Sequence, residues 1–162
     1  MSDFGFVYVL TNEYMPDLVK IGCTERSPAA RADELSKPSG VPAPFVVRCY
    51  IEVREFQAVE KALHKWLNAL RINPSREFFE DALLDAVRWM FWHPQRVSFT
   101  DCTIPFDEPI EVALGVSSLY QLDNPWHPQA EASTQAQAPV SGSMVAPSDC
   151  PWSCASTEGS DA

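Results

Sequence analysis

Residues 55–70, EFQAVEKALHKWLNAL, constrain the fold more than any other part of the sequence. Apolar residues recur in this stretch at spacings of three and four, which is the pattern of a helix with one apolar face. The stretch therefore predicts a long amphipathic helix. Its expected apolar face consists of Phe56, Val59, Leu63, Trp66, Leu67 and Leu70.

The residues before this helix predict strands. Residues 6–10 (FVYVL) and 18–22 (LVKIG) are rich in β-branched and aromatic side chains, and the turn-rich NEYMPD lies near the end of the first of them. They predict an antiparallel hairpin. A helix should then begin at Ser27 and Pro28, with serine as N-cap and proline at the first helical position, and end near Ser36. Further elements are a strand over residues 45–53 and a final helix over residues 82–92.

This order of elements predicts an α+β fold, in which a small three-stranded antiparallel sheet is flanked by about three helices. We expect the domain to cover residues 5–92, with a partly ordered extension at residues 93–122. Residues 123–162 are rich in Pro, Ala, Ser and Gln and hold few large apolar side chains. Such a composition predicts a disordered tail.

Charge is divided unevenly along the chain. The net charge is −10, which argues against a simple electrostatic DNA binder. All 12 Lys and Arg lie in residues 1–96 together with 13 of the 22 acids, so this segment is nearly neutral. Residues 97–162 carry nine acids and no base. The acidity therefore belongs to the tail and leaves DNA open as a partner of the domain.

Compartment and membrane association can be judged from the apolar runs and the cysteines. No run approaches 18 apolar residues and the N-terminus lacks a basic segment, so we expect a cytoplasmic protein with no membrane partner. The five cysteines are irregularly spaced, which fits reduced thiols. Cys150 and Cys154 lie close together, but a structural zinc site needs about four ligands.

The hairpin carries the first candidate chemistry. If its loop is centred on Tyr14, Tyr8 faces Lys20 across the strands, on the face opposite the apolar Val7 and Val9. A neighbouring ammonium would lower the phenol pKa from about 10 and so provide a general base. Gly22 would leave room for a ligand backbone. Taken alone, the segment favours an ordinary hairpin with a half-exposed tyrosine and a surface lysine.

Two further candidates lie on the helices. Arg31, one turn into the first helix, could fork onto a phosphate, or it could simply pair with Asp33 or Glu34. Glu60 borders the apolar face of the long helix, where a carboxylate is costly unless it is paired or bound to metal. The alternative is a surface contact of Glu60 with Lys61 or with His64, one turn further on.

The order of these elements resembles the GIY-YIG endonuclease family. Residues 6–8 match the first motif of the family, from which Phe6 and Val7 depart. Residues 20–22 match the second motif, from which Lys20 departs. Arg31 and Glu60 match the family's helical arginine and its metal-binding glutamate. Asn73 is the nearest match to its late asparagine. One phage-derived branch of the family is resembled more closely, at residues 60–64, Arg71 and residues 76–79. This branch is labelled a DNA-binding domain and is named after an open reading frame of a T-odd phage.

The resemblance implies hydrolysis of DNA phosphodiester bonds with one divalent metal, Mg²⁺ being expected. The implied roles are Tyr8 with Lys20 as general base, Arg31 on the phosphoryl group, Glu60 on the metal, and His64 orienting a water or contacting the backbone. Expected phosphate contacts are Lys37, Lys61, Lys65, Arg71 and Arg76.

Two other classes of function remain open. One is a DNA-binding module of the same fold without cleavage. The other is an interaction protein whose acidic tail contacts a basic partner, or its own DNA-binding face. A homo-oligomer is also possible.

Overall fold

The computed structural model describes residues 3–102 and 108–127 of the chain. Over these residues the fold is α+β, as expected. The strands are β1 (Phe4–Thr11), β2 (Leu18–Thr24), β3 (Val46–Arg54), β4 (Phe78–Glu80) and β5 (Arg96–Asp101). The helices are α1 (Pro28–Ser36), α2 (Phe56–Trp66), α3 (Leu83–Phe91) and α4 (Ile110–Ala113), with short 3₁₀ turns at Asn68–Leu70 and Leu119–Gln121.

The strands form one antiparallel sheet in the order β4-β2-β1-β3-β5. The expectation of three strands was therefore wrong: the three are the centre of a five-stranded sheet. β4 has three residues, too few to show an alternating pattern, and β5 follows His93-Pro94, where the apolar signal weakens. Both added strands lie at the edges of the sheet, next to strands that the sequence does predict.

The register of the hairpin differs from the expected one by two residues. Tyr8 pairs with Gly22, and Lys20 pairs with Leu10. The prediction that Tyr8 and Lys20 are cross-strand neighbours was thus wrong. The turn is centred near Met15, where the N–H groups of Met15 and Leu18 donate to carbonyls at positions 12 and 15. A shift of two residues keeps every side chain on its expected face.

Both faces of the sheet are covered by helices. On one face Val7, Val9 and Ile21 pack against α2 and α3 in the larger core. On the other, Tyr8 and Leu10 pack with Ala32 of α1 in a second, smaller core. Tyr8 is only 2% exposed, so the expected half-exposed tyrosine of an ordinary hairpin is excluded.

Helix α2 ends at Trp66, earlier than the sequence pattern indicates. Phe56, Val59 and Leu63 are buried as expected. Trp66 is not: its side chain is 48% exposed, so its assignment to the apolar face was wrong. At 100° per residue Trp66 lies beyond the edge of the stripe that Val59 and Leu63 define.

Residues 108–127 pack beside α3. Ile110 enters the larger core, and its N–H donates to the Asp101 carboxylate at 2.7 Å. Trp126 donates from Nε1 to the carbonyl of Trp89 at 3.2 Å. Most of the acidic tail, including Cys150 and Cys154, lies outside the described residues. Among the residues described, no helix is long and apolar enough to cross a membrane.

Candidate functional site

A cleft lies at the edge of β2, where the short β4 begins. β4 pairs with Leu18, Val19 and Lys20 only, and the last hydrogen bond of this region runs from the Ile21 N–H to the Glu77 carbonyl at 3.1 Å. Beyond that point, side chains from both faces of the sheet meet around the strand edge. The cleft has a volume of about 310 Å³ and is lined by Tyr8, Cys23, Arg31, Gln57, Glu60, Lys61 and Glu77.

Gly22 brings the Tyr8 hydroxyl to this edge. A Cβ atom at position 22 would lie 2.6 Å from the Tyr8 hydroxyl oxygen and 2.9 Å from its Cζ. The phenol therefore lies across the glycine in space that any other side chain would occupy. The prediction that Gly22 makes room for a ligand was wrong, because its neighbour's ring fills that room.

Arg31 is the cation that acts on Tyr8. The two side chains are hydrogen-bonded, and this bond, with the charge of Arg31, opposes the effect of burial on the phenol. Burial is the larger effect, so the Tyr8 pKa is raised from 10.0. The expected lowering of this pKa by Lys20 was thus wrong in both direction and partner.

Arg31 also contacts Glu34, one turn along α1. Its Nη1 donates to Oε2 of Glu34 at 3.1 Å. The hydrogen bond from Arg31 lowers the pKa of the Glu34 carboxyl group. The phosphate-binding and the intrahelical interpretations of Arg31 are therefore compatible, since the guanidinium is held between Tyr8 and Glu34 and still lines the cleft.

Glu60 reaches the cleft from the opposite side, on α2. Its side chain is 14% exposed, and burial raises the pKa of the carboxyl group. The charge of Glu77 raises this pKa further, while His64 and a hydrogen bond with Cys23 lower it. Burial, followed by the charge of Glu60, raises the pKa of the Cys23 thiol to about 12. Cys23 was not a predicted site residue; its position two residues before the next turn gives no chemical signal.

Lys20 reaches the site only through a second carboxylate, Glu77. Its Nζ lies 2.6 Å from Oε2 of Glu77, just before β4. Sequence reasoning did not single out Glu77. The only available signal was its place in the motif Arg76-Glu77-Phe78-Phe79, which was noted for family resemblance alone.

His64 lies behind the site and does not line the cleft. Its Nε2 is 3.0 Å from the carbonyl oxygen of Ile21, which requires that nitrogen to donate. The same Nε2 is 4.0 Å from Oε1 of Glu60, and the ring packs on Phe79 at 5.0 Å between centroids. These contacts tie α2 to β2.

The expected phosphate contacts fall into two groups. Lys61 lines the cleft, and Lys37, Lys65 and Arg76 are exposed. Arg71 contacts its own protein: its Nε donates to the Arg76 carbonyl at 2.7 Å and its guanidinium lies 5.6 Å from the centre of the Phe79 ring. Asn73 accepts hydrogen bonds from Ser75 within its own loop.

The residues around Glu60 are compatible with a divalent cation, but not with a complete set of protein ligands. Two carboxylates, Glu60 and Glu77, line one cleft, and the charge of Glu77 raises the pKa of the Glu60 carboxyl group. In the described part of the chain, no group of three or more His, Cys, Asp or Glu side chains could hold a metal ion. Mg²⁺ is commonly held by one or two carboxylates, with water and substrate phosphates completing its shell.

Comparison with known protein families gives a match over the domain that contains the cleft. A family model described as the T5orf172 domain matches residues 5–92. The chain belongs to the T5orf172 domain family. Membership suggests a phage-associated nuclease or DNA-binding module. The T5orf172 match includes the whole lining of the cleft and ends before β5. No curated protein and no solved structure is significantly similar to the chain.

Proposed function

We propose that this T5orf172 protein is a GIY-YIG-type DNA endonuclease that hydrolyses phosphodiester bonds with one divalent metal. A single observation carries the proposal: the Tyr8 hydroxyl, the Arg31 guanidinium and the Glu60 carboxylate come from three different elements and line one cleft. These are the three groups that the family resemblance implies, in a cleft large enough for a phosphate group and water.

We assign Arg31 to the scissile phosphate. Its guanidinium is held from both sides, by the Tyr8 hydroxyl and by Glu34, so little side-chain freedom is lost when a phosphate binds. A fixed positive charge at this point stabilises the charge that builds up on the phosphoryl oxygens during attack.

Tyr8 and Glu77 share the handling of the attacking water. Because burial keeps the Tyr8 phenol protonated, we assign it the orientation of the water through its hydroxyl oxygen. The carboxylate of Glu77 is held by Lys20 in the same cleft and takes the proton as the water oxygen bonds to phosphorus. The bond from phosphorus to the leaving oxygen breaks, and that oxygen is protonated from solvent.

Glu60 is the residue that would hold the metal. Its carboxylate is mostly removed from water, and burial and the charge of Glu77 both raise its pKa. A bound cation would favour the ionised carboxylate and so offset both effects. Mg²⁺ held there would supply positive charge for the leaving oxygen.

Cleavage of supercoiled plasmid with and without Mg²⁺ tests this function. Wild type should nick the plasmid only with the metal, and Glu60→Gln, which keeps the shape but loses the charge, should abolish nicking. Glu80→Gln on β4 is a matched control because Glu80 is exposed and does not line the cleft. Nicking by Glu60→Gln at the wild-type rate would refute the assignment.

The second candidate is a DNA-binding module without cleavage. One observation favours it: Lys20, the residue that departs from the second motif, pairs with Glu77 and does not face Tyr8. Under this alternative, wild type and Glu60→Gln bind DNA and neither cuts it.

A further inference from the structure

Helix α2 exposes two parallel ridges, and the first of them begins in the cleft. Residues four apart lie on the same ridge of a helix. The first ridge is Gln57, Lys61 and Lys65, and the second is Ala58, Ala62 and Trp66. All six residues are exposed. None is acidic, so this face carries the positive charge of two lysines, whereas residues 1–96 as a whole are nearly neutral.

The lysine ridge begins inside the cleft. Gln57 and Lys61 line it, and Lys65 continues the ridge four residues, about 6 Å, further along the axis. A phosphodiester chain that enters the cleft at Arg31 and Glu60 therefore meets a line of positive charge as it leaves. The two lysines, in line with the cleft, are complementary in charge to a nucleic acid backbone.

Trp66 decides which form of nucleic acid fits. It lies at the end of the alanine ridge, next to Lys65, with its indole 48% exposed. Ala58 and Ala62, which precede it on the ridge, are exposed and carry only a methyl group each. An indole stacks on the face of a base, and in a duplex those faces are covered by neighbouring base pairs. Only an unpaired base can use it.

We propose that α2 binds single-stranded DNA leaving the cleft, with the backbone on Lys61 and Lys65 and one unpaired base stacked on Trp66. This inference rests on the proposed DNA-cleaving function and names its substrate class: DNA with an unpaired strand beside the scissile bond.

Binding without cleavage tests the proposal. The full chain is titrated in EDTA into a short single-stranded DNA containing 2-aminopurine, and into the matching duplex. Stacking on Trp66 quenches the 2-aminopurine, and Trp66→Leu should remove the quenching and weaken single-strand binding about tenfold. Duplex binding should be unchanged. Trp66→Tyr should restore most of both signals, and Tyr120→Leu, which removes an exposed aromatic side chain elsewhere, should change neither.

Lysine variants test the backbone track separately. Lys61→Gln and Lys65→Gln should each lower the salt dependence of single-strand binding, by about 0.7 in the logarithmic slope. Three results would each overturn the proposal. Trp66→Leu could bind the single strand as tightly as wild type does, or it could lose as much affinity for the duplex as for the single strand. Wild type could also bind the same sequence more tightly as RNA than as DNA. Because cleavage plays no part in this assay, an inactive wild type that shows the Trp66 effect would refute the endonuclease and leave the single-strand site standing.

Discussion

The hydroxyl oxygen of Tyr8 lies 2.6 Å from the place where a Cβ atom of residue 22 would stand. Glycine at that position is thus a condition for the phenol to reach Arg31. Both residues lie in adjacent central strands, so neither backbone can shift without disturbing the sheet.

We predict that Gly22→Ala displaces the Tyr8 ring and breaks its hydrogen bond with Arg31. Overpacking of this kind costs about 1–3 kcal/mol, which urea unfolding would measure. Gly40→Ala is the control, because no atom lies within 4 Å of a Cβ built there. Equal stability of the two variants would contradict the close approach.

Lys20 and Glu77 should be coupled energetically. The nitrogen and oxygen of this ion pair are 2.6 Å apart, and the pair is partly shielded from solvent. We therefore expect a coupling energy near the upper end for surface ion pairs, about 1 kcal/mol. A double-mutant cycle of Lys20→Met and Glu77→Gln measures this in urea. The more exposed pair Arg26–Glu34 gives a comparison that should yield less. A coupling no larger than that of the comparison pair would refute the shielding argument.

Replacement of Arg31 by lysine should reduce cleavage about 100-fold while leaving the fold intact. Lysine keeps the charge but presents its three donors from one nitrogen, without the planar fork of the guanidinium that lies between Tyr8 and Glu34. Arg26→Lys is a matched control, since Arg26 also pairs with Glu34 but does not line the cleft. A single-turnover cleavage assay decides; equal losses in both variants would assign the effect to Glu34.

His93 should make stability depend on pH. It is buried between Trp89 and Trp126, with ring centroids 4.8 and 5.0 Å away, and burial lowers its pKa from 6.5. The unfolded chain therefore binds a proton at residue 93 more readily than the folded chain does. The contribution of His93 to the free energy of unfolding is largest above pH 6.5 and falls as the pH drops below that value.

Urea unfolding over a pH series measures this dependence. His93→Gln should flatten the decline attributable to residue 93, whereas His127→Gln, at an exposed position, should retain it. Tryptophan fluorescence gives a local signal, because protonation changes the ring beside Trp89 and Trp126. An unchanged pH profile in His93→Gln would show that other groups cause the decline.

The sequence predicts the central elements well because their patterns are local. The alternation in β1 and the three-and-four spacing in α2 depend only on neighbours along the chain, and both predict the right burial for Val7 and Leu63. The register of the hairpin depends on the turn, and an error of two residues gave Tyr8 the wrong partner.

The site follows the same division. Arg31 and Glu60 were found because their spacing resembles a family motif. Glu77 and Cys23 enter the cleft through pairings across the sheet, which one sequence does not display. Trp66 was wrongly assigned to the buried face, because helical spacing alone does not indicate how far the core extends along and around α2.

The second core, which contains Tyr8, has a dynamic consequence. β1 is hydrogen-bonded to a strand on each side, and its side chains are packed by helices above and below. The amide of Tyr8 should therefore exchange with deuterium only when the whole domain unfolds. Tyr8 is thus held in one position for as long as the domain is folded, and its hydroxyl meets every ligand of the cleft from that fixed point.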